Sequence, residues 1–528
     1  MGRHVVGIDL GTTNSVVARL DDSGRVIVLP NASGREITPS VVYFEPDGSA
    51  VVGEDAVEAT AVDPDNGVLL IKRVMGTDSP IRVRGQRHTP ESISALILRQ
   101  LVEAAVGPGE PGRGQQVSAV ITVPAYFGLA EREATFQAGR IAGIDVLELL
   151  DEPVAAAAHY GLTSGGDQTV LVYDLGGGTF DTTVLRITSG AVRVLATDGH
   201  HELGGADVDR RILDLILERL EEQLSPDEVD KIASDQRRLG ELVLDAEAAK
   251  KDLSERTSRP VVVATPAGRV TVTITRQDLD DACADLYATT AEVIERVLSA
   301  ANVDGGRGID QVIMVGGSSR IPVLAERLTA MLGQTPRLVE PDLAVAKGAA
   351  LRAHHLAGTP ELSALTVSRG PGGGRVKAGQ VTTVAPRAVG IAVSDSFDPS
   401  GERIFVEHLV KANTPLPVER TANRFGTILP DQGSVRVQVY EQAGPVASPE
   451  IEHNRRVLDG ELTGIGSLKA GSVIRITMRI AADGRLTVIA HEPRSGRELR
   501  LEAFVEGVID SAETERLTGL VSRTPLRG

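Results

Sequence analysis

The chain has 528 residues, 41% of them hydrophobic, and a formal net charge of −17 at pH 7. This length exceeds one compact core and predicts three or four compact units. The excess of acidic residues argues against nonspecific binding to nucleic acid or to an anionic membrane, since both need a basic protein face. We therefore expect neutral or cationic partners, with no nucleic acid and no membrane among them.

Cysteine content and hydropathy predict the compartment. Cys283 is the single cysteine, so the chain forms no internal disulfide, which fits a reducing compartment. No apolar run approaches the roughly 18 residues that a membrane-spanning helix needs, and the first residues lack the long apolar stretch of a secretory signal. We therefore expect a cytoplasmic location.

A short motif occurs twice. The string DLGTTNS (residues 9–15) follows the apolar run 5–8, and DLGGGTFD (residues 174–181) follows the apolar run 170–173. Each copy predicts a strand, an aspartate, a turn of small residues and a second strand. Such a turn brings backbone N–H groups to a polyphosphate, and the aspartate suits a divalent cation. Either copy alone is also compatible with an ordinary hairpin, but together they predict two similar lobes that close on one nucleotide.

Strands and helices alternate between residues 1 and 356, which predicts an α/β domain with parallel pairing. Within it, residues 204–301 are rich in helix formers and predict a helical subdomain. The predicted elements are strands 118–123, 146–150 and 311–315, helices 129–142, 152–160 and about 275–301, a hairpin at 261–275, and a helix from about 321.

The composition changes at about residue 357. Residues 357–380 are rich in glycine and proline and predict a flexible linker. Residues 381–510 read as all-β, because the strings at 435–440 and 473–480 alternate apolar with polar residues and the Asp-Gly pair at 483–484 marks a hairpin turn. Several short strands with such turns predict a β-sandwich.

These strings resemble the Hsp70 chaperones of the DnaK type, within the actin/hexokinase ATPase superfamily. The resemblance covers residues 4–356 closely and 381–505 loosely. Besides the repeated motif, it rests on the strings AVITVPAYF (119–127), AGRIAG (138–143) and VGG (315–317). It implies two actin-like lobes that hold ATP and Mg²⁺ and hydrolyse the ATP slowly, followed by an all-β sandwich that binds peptides.

The resemblance also implies roles for individual residues. Lys72, Glu152, Thr179 and Asp181 match catalytic positions, and Asp9 and Asp181 match aspartates near the Mg²⁺, which they contact largely through water. The residues that match the nucleotide-binding positions are Gly11, Thr12, Thr13, Asp174, Gly176, Gly177, Gly178, Gly204, Gly205, Glu247, Lys250, Ser254, Gly316, Gly317 and Arg320.

The implied chemistry is physically sensible. Transfer of a phosphoryl group to water spreads negative charge over its oxygens, so a positioned lysine, a cation and backbone N–H groups lower the barrier. Without the resemblance, Lys72 would be a solvated lysine and Glu152 an acid favoured at a helix N-terminus. Pro124 and Arg132 resemble the switch pair between the lobes, although Pro124 could equally be a rigid strand exit.

The C-terminal third departs from the family. At 380–386 the apolar residues of the interdomain linker are thinned out, so we expect weaker docking of the linker. Residues 511–528 form a short tail with one weak helical stretch, too short for the helical lid of the family, so bound peptide should dissociate quickly. Residues 409–417 and 435–440 resemble strands around the peptide groove, but their valines could equally form only the sandwich core.

Our leading hypothesis is an Hsp70-like chaperone that hydrolyses ATP and weakly binds exposed apolar segments of unfolded or extended polypeptides. A J-domain co-chaperone and a nucleotide exchange factor are the further partners that the resemblance implies. The alternative is a nucleotide-gated scaffold with negligible ATPase activity and one dedicated protein partner. A sugar or acetate kinase of the same superfamily would need a phosphorylated-substrate aspartate in the cleft, for which the strings offer no clear candidate.

Overall fold

A computed structural model describes residues 4–106, 117–164, 167–188, 191–265, 268–357, 380–395, 398, 403–444, 446–502 and 511–527. The glycine-rich run of the predicted linker (369–375) lies outside these residues. The helices are α1 (Glu54–Val62), α2 (Pro90–Val106), α3 (Leu129–Ile141), α4 (Glu152–Ser164), α5 (Gly205–Glu221), α6 (Pro226–Ser234), α7 (Gln236–Glu255), α8 (Arg276–Ala282), α9 (Ala284–Ala300), α10 (Pro322–Leu332), α11 (Ala344–Leu356) and α12 (Ser511–Arg523). Short 3-10 helices lie at Pro64–Asn66, Ile71–Val74, Gly305–Gly308, Gly317–Arg320 and Ile451–His453.

Two lobes are built on sheets with the same topology. The sheet of the first lobe has the strand order Asp145–Asp151, Val117–Val123, His4–Asp9, Asn14–Leu20, Val26–Val28, with Thr38–Pro39 paired to Asn14–Leu20. The sheet of the second lobe has the order Arg337–Leu338, Gln311–Val315, Gln168–Leu175, Phe180–Thr188, Ala191–His200. In both, the first three strands pair in parallel and the next two are antiparallel. The prediction of two similar lobes is confirmed.

Each repeated motif joins the middle strand of its sheet to the antiparallel neighbour. Gly7 pairs with Ala18 in the first lobe, and Val170 pairs with Leu185 in the second. Each motif is therefore a hairpin turn, which agrees with the ordinary-hairpin interpretation of either copy alone. The two turns also occupy corresponding positions in their sheets. Strand Val117–Val123 is buried at every position, which is typical of a parallel strand covered on both faces.

Helices α4 and α11 pack between the lobes with unusually close backbones. A Cβ atom on Gly348 of α11 would lie 1.9 Å from the carbonyl oxygen of Ala155 in α4. A Cβ on Gly7 would lie 2.0 Å from the backbone nitrogen of Ala350. Because only glycine fits these approaches, the two helices lie directly against each other and against the first-lobe sheet.

The C-terminal part is a β-sandwich, as predicted, and we call it the β-domain. One sheet has the order Ile404–Val410, Val389–Ser394, Gln432–Gln442, Asn454–Leu468, and the other Val418–Gly426, Val473–Ile480, Leu486–Glu492, Arg497–Glu502, while Val384–Ala385 pairs with Thr414–Pro415. Burial alternates along Val473–Ile480, which confirms its predicted half-buried character. Val437 and Val439 are buried in the sandwich core, so for these two valines the core interpretation is confirmed.

Three small sheets complete the described fold. They are Leu526–Arg527, Ala50–Val52, Val42–Phe44 and Gly67–Val68 in that order, the hairpin of Ile81–Val83 with Gln86–His88, and the hairpin of Ser258–Thr265 with Gly268–Thr275. None of the helices in the described ranges is both long and apolar enough to cross a membrane.

Two helices differ from their predictions. Helix α4 continues past the predicted stop at Gly161 and ends at Ser164. The single helix predicted at about 275–301 is split at the buried Cys283 into α8 and α9, because this residue leaves the helical conformation with φ −106° and ψ 9°. The apolar periodicity continues across the break, so the sequence pattern did not indicate it.

The connection into the β-domain docks on the second lobe. Strand Gln380–Thr382 pairs in parallel with Ala191–His200 at the edge of the second-lobe sheet. The expected weakening of this docking, from the loss of large apolar side chains, stays a prediction. Val384 is buried in the apolar cluster between the lobes that contains Val120 and Val170, and Val381 packs against the same cluster. Backbone pairing does not depend on side-chain size, which explains why a valine-containing segment can dock.

The tail returns to the first lobe. Helix α12 places Leu517 and Val521 in the core cluster that contains Ile93 and Leu96 of α2. Beyond α12, Leu526–Arg527 pairs in parallel with Ala50–Val52. The predicted weak helical stretch is therefore a helix with a buried apolar face.

Replacing Leu517 with alanine should destabilise the first lobe. The side chain is fully buried, and Leu→Ala substitutions at such sites cost about 2–5 kcal/mol through lost transfer energy and the remaining cavity. The measurement is urea unfolding of Leu517→Ala, with Leu429→Ala as the control because Leu429 is 61% exposed. Equal midpoints for the two variants would show that α12 does not pack on the lobe.

Candidate active site

The two repeated turns face each other across the cleft between the lobes. A Cβ atom on Gly177 would lie 1.4 Å from Oγ1 of Thr13, and one on Gly178 would lie 2.2 Å from Cγ2 of Thr12. The turn of one lobe thus touches the turn of the other through predicted residues. Gly204 lies beside Gly178, since its Cβ would be 2.6 Å from that backbone nitrogen.

A buried ion pair lies at the base of this cleft. Nζ of Lys72 donates a hydrogen bond of 2.6 Å to Oε1 of Glu152, and the side chains are 4% and 10% exposed. Lys72 lies in the 3-10 helix Ile71–Val74, and Glu152 is the first residue of α4. The structure therefore brings together two predicted catalytic residues that lie 80 positions apart.

Three further carboxylates lie around this pair. Burial, and then the negative charge of Glu152, raise the pKa of Asp9 to about 7. Burial raises the pKa of Asp174 well above its ordinary value, with Glu152 and Asp9 adding to the effect. For Asp181, burial again raises the pKa, followed by the charge of Asp174. Lys72 pairs with Glu152 and lowers the pKa of Asp9 and Asp174, so among the described residues of this site the acids outnumber the lysine.

This donor set fits a hard divalent cation. Carboxylate oxygens are the ligands that Mg²⁺ prefers, and Oδ1 of the buried Asp181 has no hydrogen-bond partner among the described residues. Within the described ranges, no three His, Cys, Asp or Glu side chains lie close enough to hold a metal ion by themselves. A Mg²⁺ ion here therefore needs ligands from water or from phosphate oxygens as well.

Through Lys250, helix α7 contacts the start of α5, where the N–H of Gly205 donates to the carbonyl oxygen of Gly176 in the second-lobe turn at 3.0 Å. Nζ of Lys250 donates to the carbonyl oxygen of Gly205 at 3.1 Å and pairs with Asp209 at 2.7 Å. A Cβ on Gly205 would lie 2.4 Å from Oγ of Ser318 in the helix Gly317–Arg320. A Cβ on Gly316 would lie 2.5 Å from Oδ1 of Asp174. These contacts bring the helical subdomain against the predicted phosphate turn.

Other predicted nucleotide residues make contacts elsewhere. Glu247 pairs with Lys251 on the surface of α7, and the hydroxyl of Ser254 donates to the carbonyl of Lys250 within the same helix. Arg320 pairs with Asp342 at 2.5 Å. The resemblance places these three residues at the adenosine, away from the phosphate turns, so their roles stay predictions.

The remaining predicted residues shape the turns themselves. A Cβ on Gly11 would lie 2.0 Å from the carbonyl oxygen of Asn14, so the first turn is too tight for a side chain there. In the second turn, the N–H of Gly176 donates to the carbonyl of Thr179 at 3.0 Å. Gly317 follows Gly316 at the start of the helix that contacts Gly205, and its Cβ would lie 2.9 Å from Oδ1 of Asp342.

Sequence reasoning missed Arg73. Its Nε donates to the carbonyl oxygen of Gly178 at 2.8 Å, and Nη2 pairs with Asp207 at 2.5 Å. Arg73 thus reaches from the first lobe to the turn of the second lobe and to the start of α5. Its position directly after Lys72 was the one available signal.

Sequence reasoning also missed the aromatic pair beside Lys72. The centroid of the Phe127 ring lies 5.8 Å from Nζ of Lys72, and Tyr126 packs edge-on against Phe127. The predicted switch residue Arg132 pairs with Asp151 at 2.5 Å, next to Glu152. The string that contains both aromatics was noticed only for its resemblance.

Together, these groups suit phosphoryl transfer. Two turns rich in backbone N–H groups meet in the cleft, next to a buried lysine and several acids with raised pKa values. Donors fixed in a site shielded from water stabilise developing phosphate charge more strongly than they would in water. Functional sites commonly hold acids with raised pKa values in this way.

Comparisons with known proteins agree with this geometry. The family described as "Hsp70 protein" matches residues 5–521. The chain is similar to "Chaperone protein DnaK" of Thermotoga neapolitana, with 38% identity over 507 residues that cover 94% of this chain and 79% of the relative. It is also similar to "Chaperone protein DnaK" of Thermotoga maritima, with 38% identity over 526 residues (97% and 82%), and of Thermosipho melanesiensis, with 37% identity over 504 residues (94% and 79%).

Proposed function

The chain belongs to the Hsp70 family, and from this premise we propose which of its residues hold and hydrolyse ATP. As a member of this family, it is a chaperone that binds ATP with Mg²⁺ and hydrolyses the ATP. The alternative of a scaffold with negligible catalysis is not favoured, because the family match spans nearly the whole chain. The buried pair of Lys72 and Glu152, next to two facing turns, is the observation that carries the assignment.

We propose that the two turns hold the phosphates through their backbone N–H groups and through Thr12 and Thr13. Lys72 would donate a hydrogen bond to the phosphate being transferred and so stabilise the charge that develops there. Glu152 would orient the attacking water and accept its proton. Thr179 would contact the same phosphate with its hydroxyl group.

Asp9 and Asp181 would orient waters around a Mg²⁺ ion. When bound, Mg²⁺ neutralises phosphate charge. Asp174 shares the burial and the raised pKa of these aspartates and would hold the second turn in place. On the other side of the cleft, Glu247, Lys250 and Ser254 of α7 would contact the adenosine, with Gly316, Gly317 and Arg320 below the base.

Members of this family bind unfolded polypeptides, and we propose which part of the β-domain contacts them. The apolar side chains of Ile428, Leu429 and Val473 are 58%, 61% and 45% exposed. All three lie within two residues of the hydrogen bond between Thr427 and Ser472, at one end of the sandwich. An extended apolar segment of a polypeptide would bury these three side chains. Because the contact covers a small area, the polypeptide would dissociate quickly and its affinity would be weak.

The finer identity of the partners is also a proposal. We propose that a J-domain co-chaperone and a nucleotide exchange factor act on this chain, on the strength of its family. A cytoplasmic location is proposed as well, because a chain with one buried cysteine needs no oxidising compartment to fold.

Apolar peptides should stimulate ATP turnover if the two domains communicate. The experiment measures steady-state ATP hydrolysis by the full chain with increasing amounts of an extended apolar peptide. The control is a peptide of the same length with aspartate at the apolar positions, which should not stimulate. A response that is flat for both peptides, with ATP turnover intact, would contradict the proposed coupling between the β-domain and the lobes.

A further inference from the structure

Leu70 has a backbone conformation that leucine rarely adopts. With φ 54° and ψ 27° it lies in the left-handed region, between strand Gly67–Val68 and the 3-10 helix Ile71–Val74. This region costs free energy for leucine, because its Cβ atom comes too close to the following carbonyl oxygen, and leucine has no polar side-chain atom to offset that cost. The other non-glycine residues with positive φ in the described ranges are all polar: Arg84, Asn302, Glu340, Asn413 and Asp431.

Packing of the leucine side chain does not account for this conformation. Leu70 is half-buried, and none of the apolar core clusters in the described ranges includes it. Its neighbour Ile71, by contrast, is 4% exposed and belongs to the core of the first lobe. The conformation is therefore a property of the backbone path, which the surrounding structure must enforce.

The chain is fixed on both sides of Leu70. Before it, strand Gly67–Val68 pairs with Val42–Phe44. After it, the N–H of Arg73 donates to the carbonyl oxygen of Leu70 at 3.0 Å, and Met75 is buried at the end of the 3-10 helix. Strained residues persist where the structure around them is fixed in this way, and they are common near active sites.

The 3-10 helix after Leu70 sends three consecutive side chains to three different places. Ile71 enters the core of the first lobe. Lys72 reaches into the cleft, where it forms its buried ion pair. Arg73 crosses to the second lobe, where its Nε donates to the carbonyl oxygen of Gly178 at 2.8 Å. Because a 3-10 helix has about three residues per turn, these side chains point about 120° apart, and the orientation of the helix decides where all three lie.

The orientation of this helix is set at Leu70. In the right-handed and extended regions that leucine prefers, φ is about −60° or more negative, so a return to them would rotate the following chain by more than about 100°. After such a rotation, Ile71 could not stay in the core while Lys72 stays in the cleft. The left-handed turn is what lets a chain that leaves strand Gly67–Val68 place the lysine amine beside Glu152.

We propose that Leu70 is a positioning residue for ATP hydrolysis that acts through its backbone and not through its side chain. Its left-handed turn places Lys72 in the cleft and Arg73 across it. The residue acts through Lys72 and does not itself contact the reacting groups. This inference rests on the proposed catalytic role of Lys72.

Three variants of the full chain test this role. Leu70→Asn and Leu70→Gly remove the leucine side chain but accept the left-handed conformation, so their kcat for ATP should stay within about twofold of the wild type. Leu70→Ile keeps the apolar volume, but a residue branched at Cβ is strongly disfavoured in this conformation. Its kcat should fall at least about tenfold, with KM changed less than about twofold, because misplacement of a catalytic group by about 1 Å can lower the rate about 10²-fold.

A role of the side chain predicts the opposite order of activities. If Leu70 acted by packing, Leu70→Ile would keep its activity, whereas Leu70→Asn and Leu70→Gly would lose it. Asn302→Ile is the matched control, because Asn302 has φ 55° and is an exposed residue that follows α9. This variant should lose stability through the same backbone cost, but its kcat should equal that of the wild type.

Chemical labelling of Lys72 reports the position of its amine without ATP turnover. The probe is the hydroxysuccinimide ester of acetic acid, and mass spectrometry measures the acetylation rates of Lys72, which is 4% exposed, and of Lys251, which is 68% exposed. In the wild type Lys72 should react more slowly, since a buried amine held protonated by Glu152 is a poor nucleophile. Leu70→Ile should lose this protection, and Leu70→Asn and Leu70→Gly should keep it.

Each outcome decides a separate question. Wild-type kcat in Leu70→Ile, or a loss of kcat in both Leu70→Asn and Leu70→Gly, would overturn the positioning role while the ATPase stands. If the wild type itself does not hydrolyse ATP, the proposed catalytic function fails, and equal protection of Lys72 in every variant would then overturn the positioning role. If Leu70→Ile does not fold, retained kcat in the other two variants supports the role, and lost kcat in both overturns it.

Discussion

Replacement of Lys72 by alanine is expected to lower kcat for ATP hydrolysis by about 10²–10³-fold. The amine is 4% exposed and is the one lysine among Asp9, Asp174, Asp181 and Glu152. With the amine removed, the site would lose the cation that pairs with Glu152 and that would stabilise the charge on the transferred phosphate. Phosphate held by the backbone of the two turns should still bind, so the loss should fall on kcat.

Lys72→Ala is expected to change stability as well as turnover. Truncating Lys72 leaves the buried Glu152 without its partner, and such a change costs about 3–5 kcal/mol. We therefore expect a lower melting temperature for Lys72→Ala. A second variant, Lys72→Met, keeps the side-chain volume. Both should bind Mg²⁺–ATP in a calorimetric titration and both should fail to turn it over.

The matched control is Lys251→Ala. Lys251 lies on α7, is 68% exposed and pairs with Glu247 on the helix surface. Exposed pairs of this kind contribute about 0–1 kcal/mol, so neither stability nor turnover should change measurably. Turnover by Lys72→Ala within about twofold of the wild type would remove the buried pair from the catalytic mechanism.

The duplicated sheets could be predicted from the sequence because their signal is local. Each motif consists of an apolar run, an aspartate and a glycine-containing turn, all within about a dozen neighbouring residues. Glycine and other small residues in this position predict a tight turn of the backbone. The two copies predicted two similar lobes, and the sheets of the two lobes have matching strand orders.

The cross-lobe contacts could not be predicted in this way. Lys72 and Glu152 lie 80 positions apart, and Arg73 and Gly178 lie 105 apart. Periodicity describes which face of an element is buried and not which distant element covers it. Lys72 and Glu152 were therefore identified only through the family resemblance, whereas Arg73 was missed.

The linker illustrates the same limit at the level of the backbone. Its side chains predicted weaker docking, because they are smaller than those of a leucine-rich segment. Strand Gln380–Thr382 nevertheless pairs with the second lobe through main-chain groups, which composition does not report. The buried Val384 adds an apolar contact beside this pairing.

A methyl group on Gly177 should prevent the lobes from closing as they do here. The added Cβ of Gly177→Ala would lie 1.4 Å from Oγ1 and 2.6 Å from Cβ of Thr13, so the facing turns must separate. Displacement of about 1 Å at a reacting centre can lower the rate about 10²-fold, and we expect a loss of at least this size in kcat/KM for ATP. Gly444→Ala is the control, because a Cβ there meets no atom within 4 Å.

A double variant tests whether the clash with Thr13 is the cause. In Gly177→Ala/Thr13→Ala, the closest atom, Oγ1 at 1.4 Å, and Cγ2 at 2.9 Å are absent, while Cβ of residue 13 at 2.6 Å remains, so the clash is relieved in part. If the turns meet in the functional enzyme, the double variant should be more active than the product of the two single effects predicts, because the second change relieves the clash that the first creates. Strictly multiplicative effects would mean that the two turns do not touch during turnover, and the facing arrangement would then not be the catalytic one.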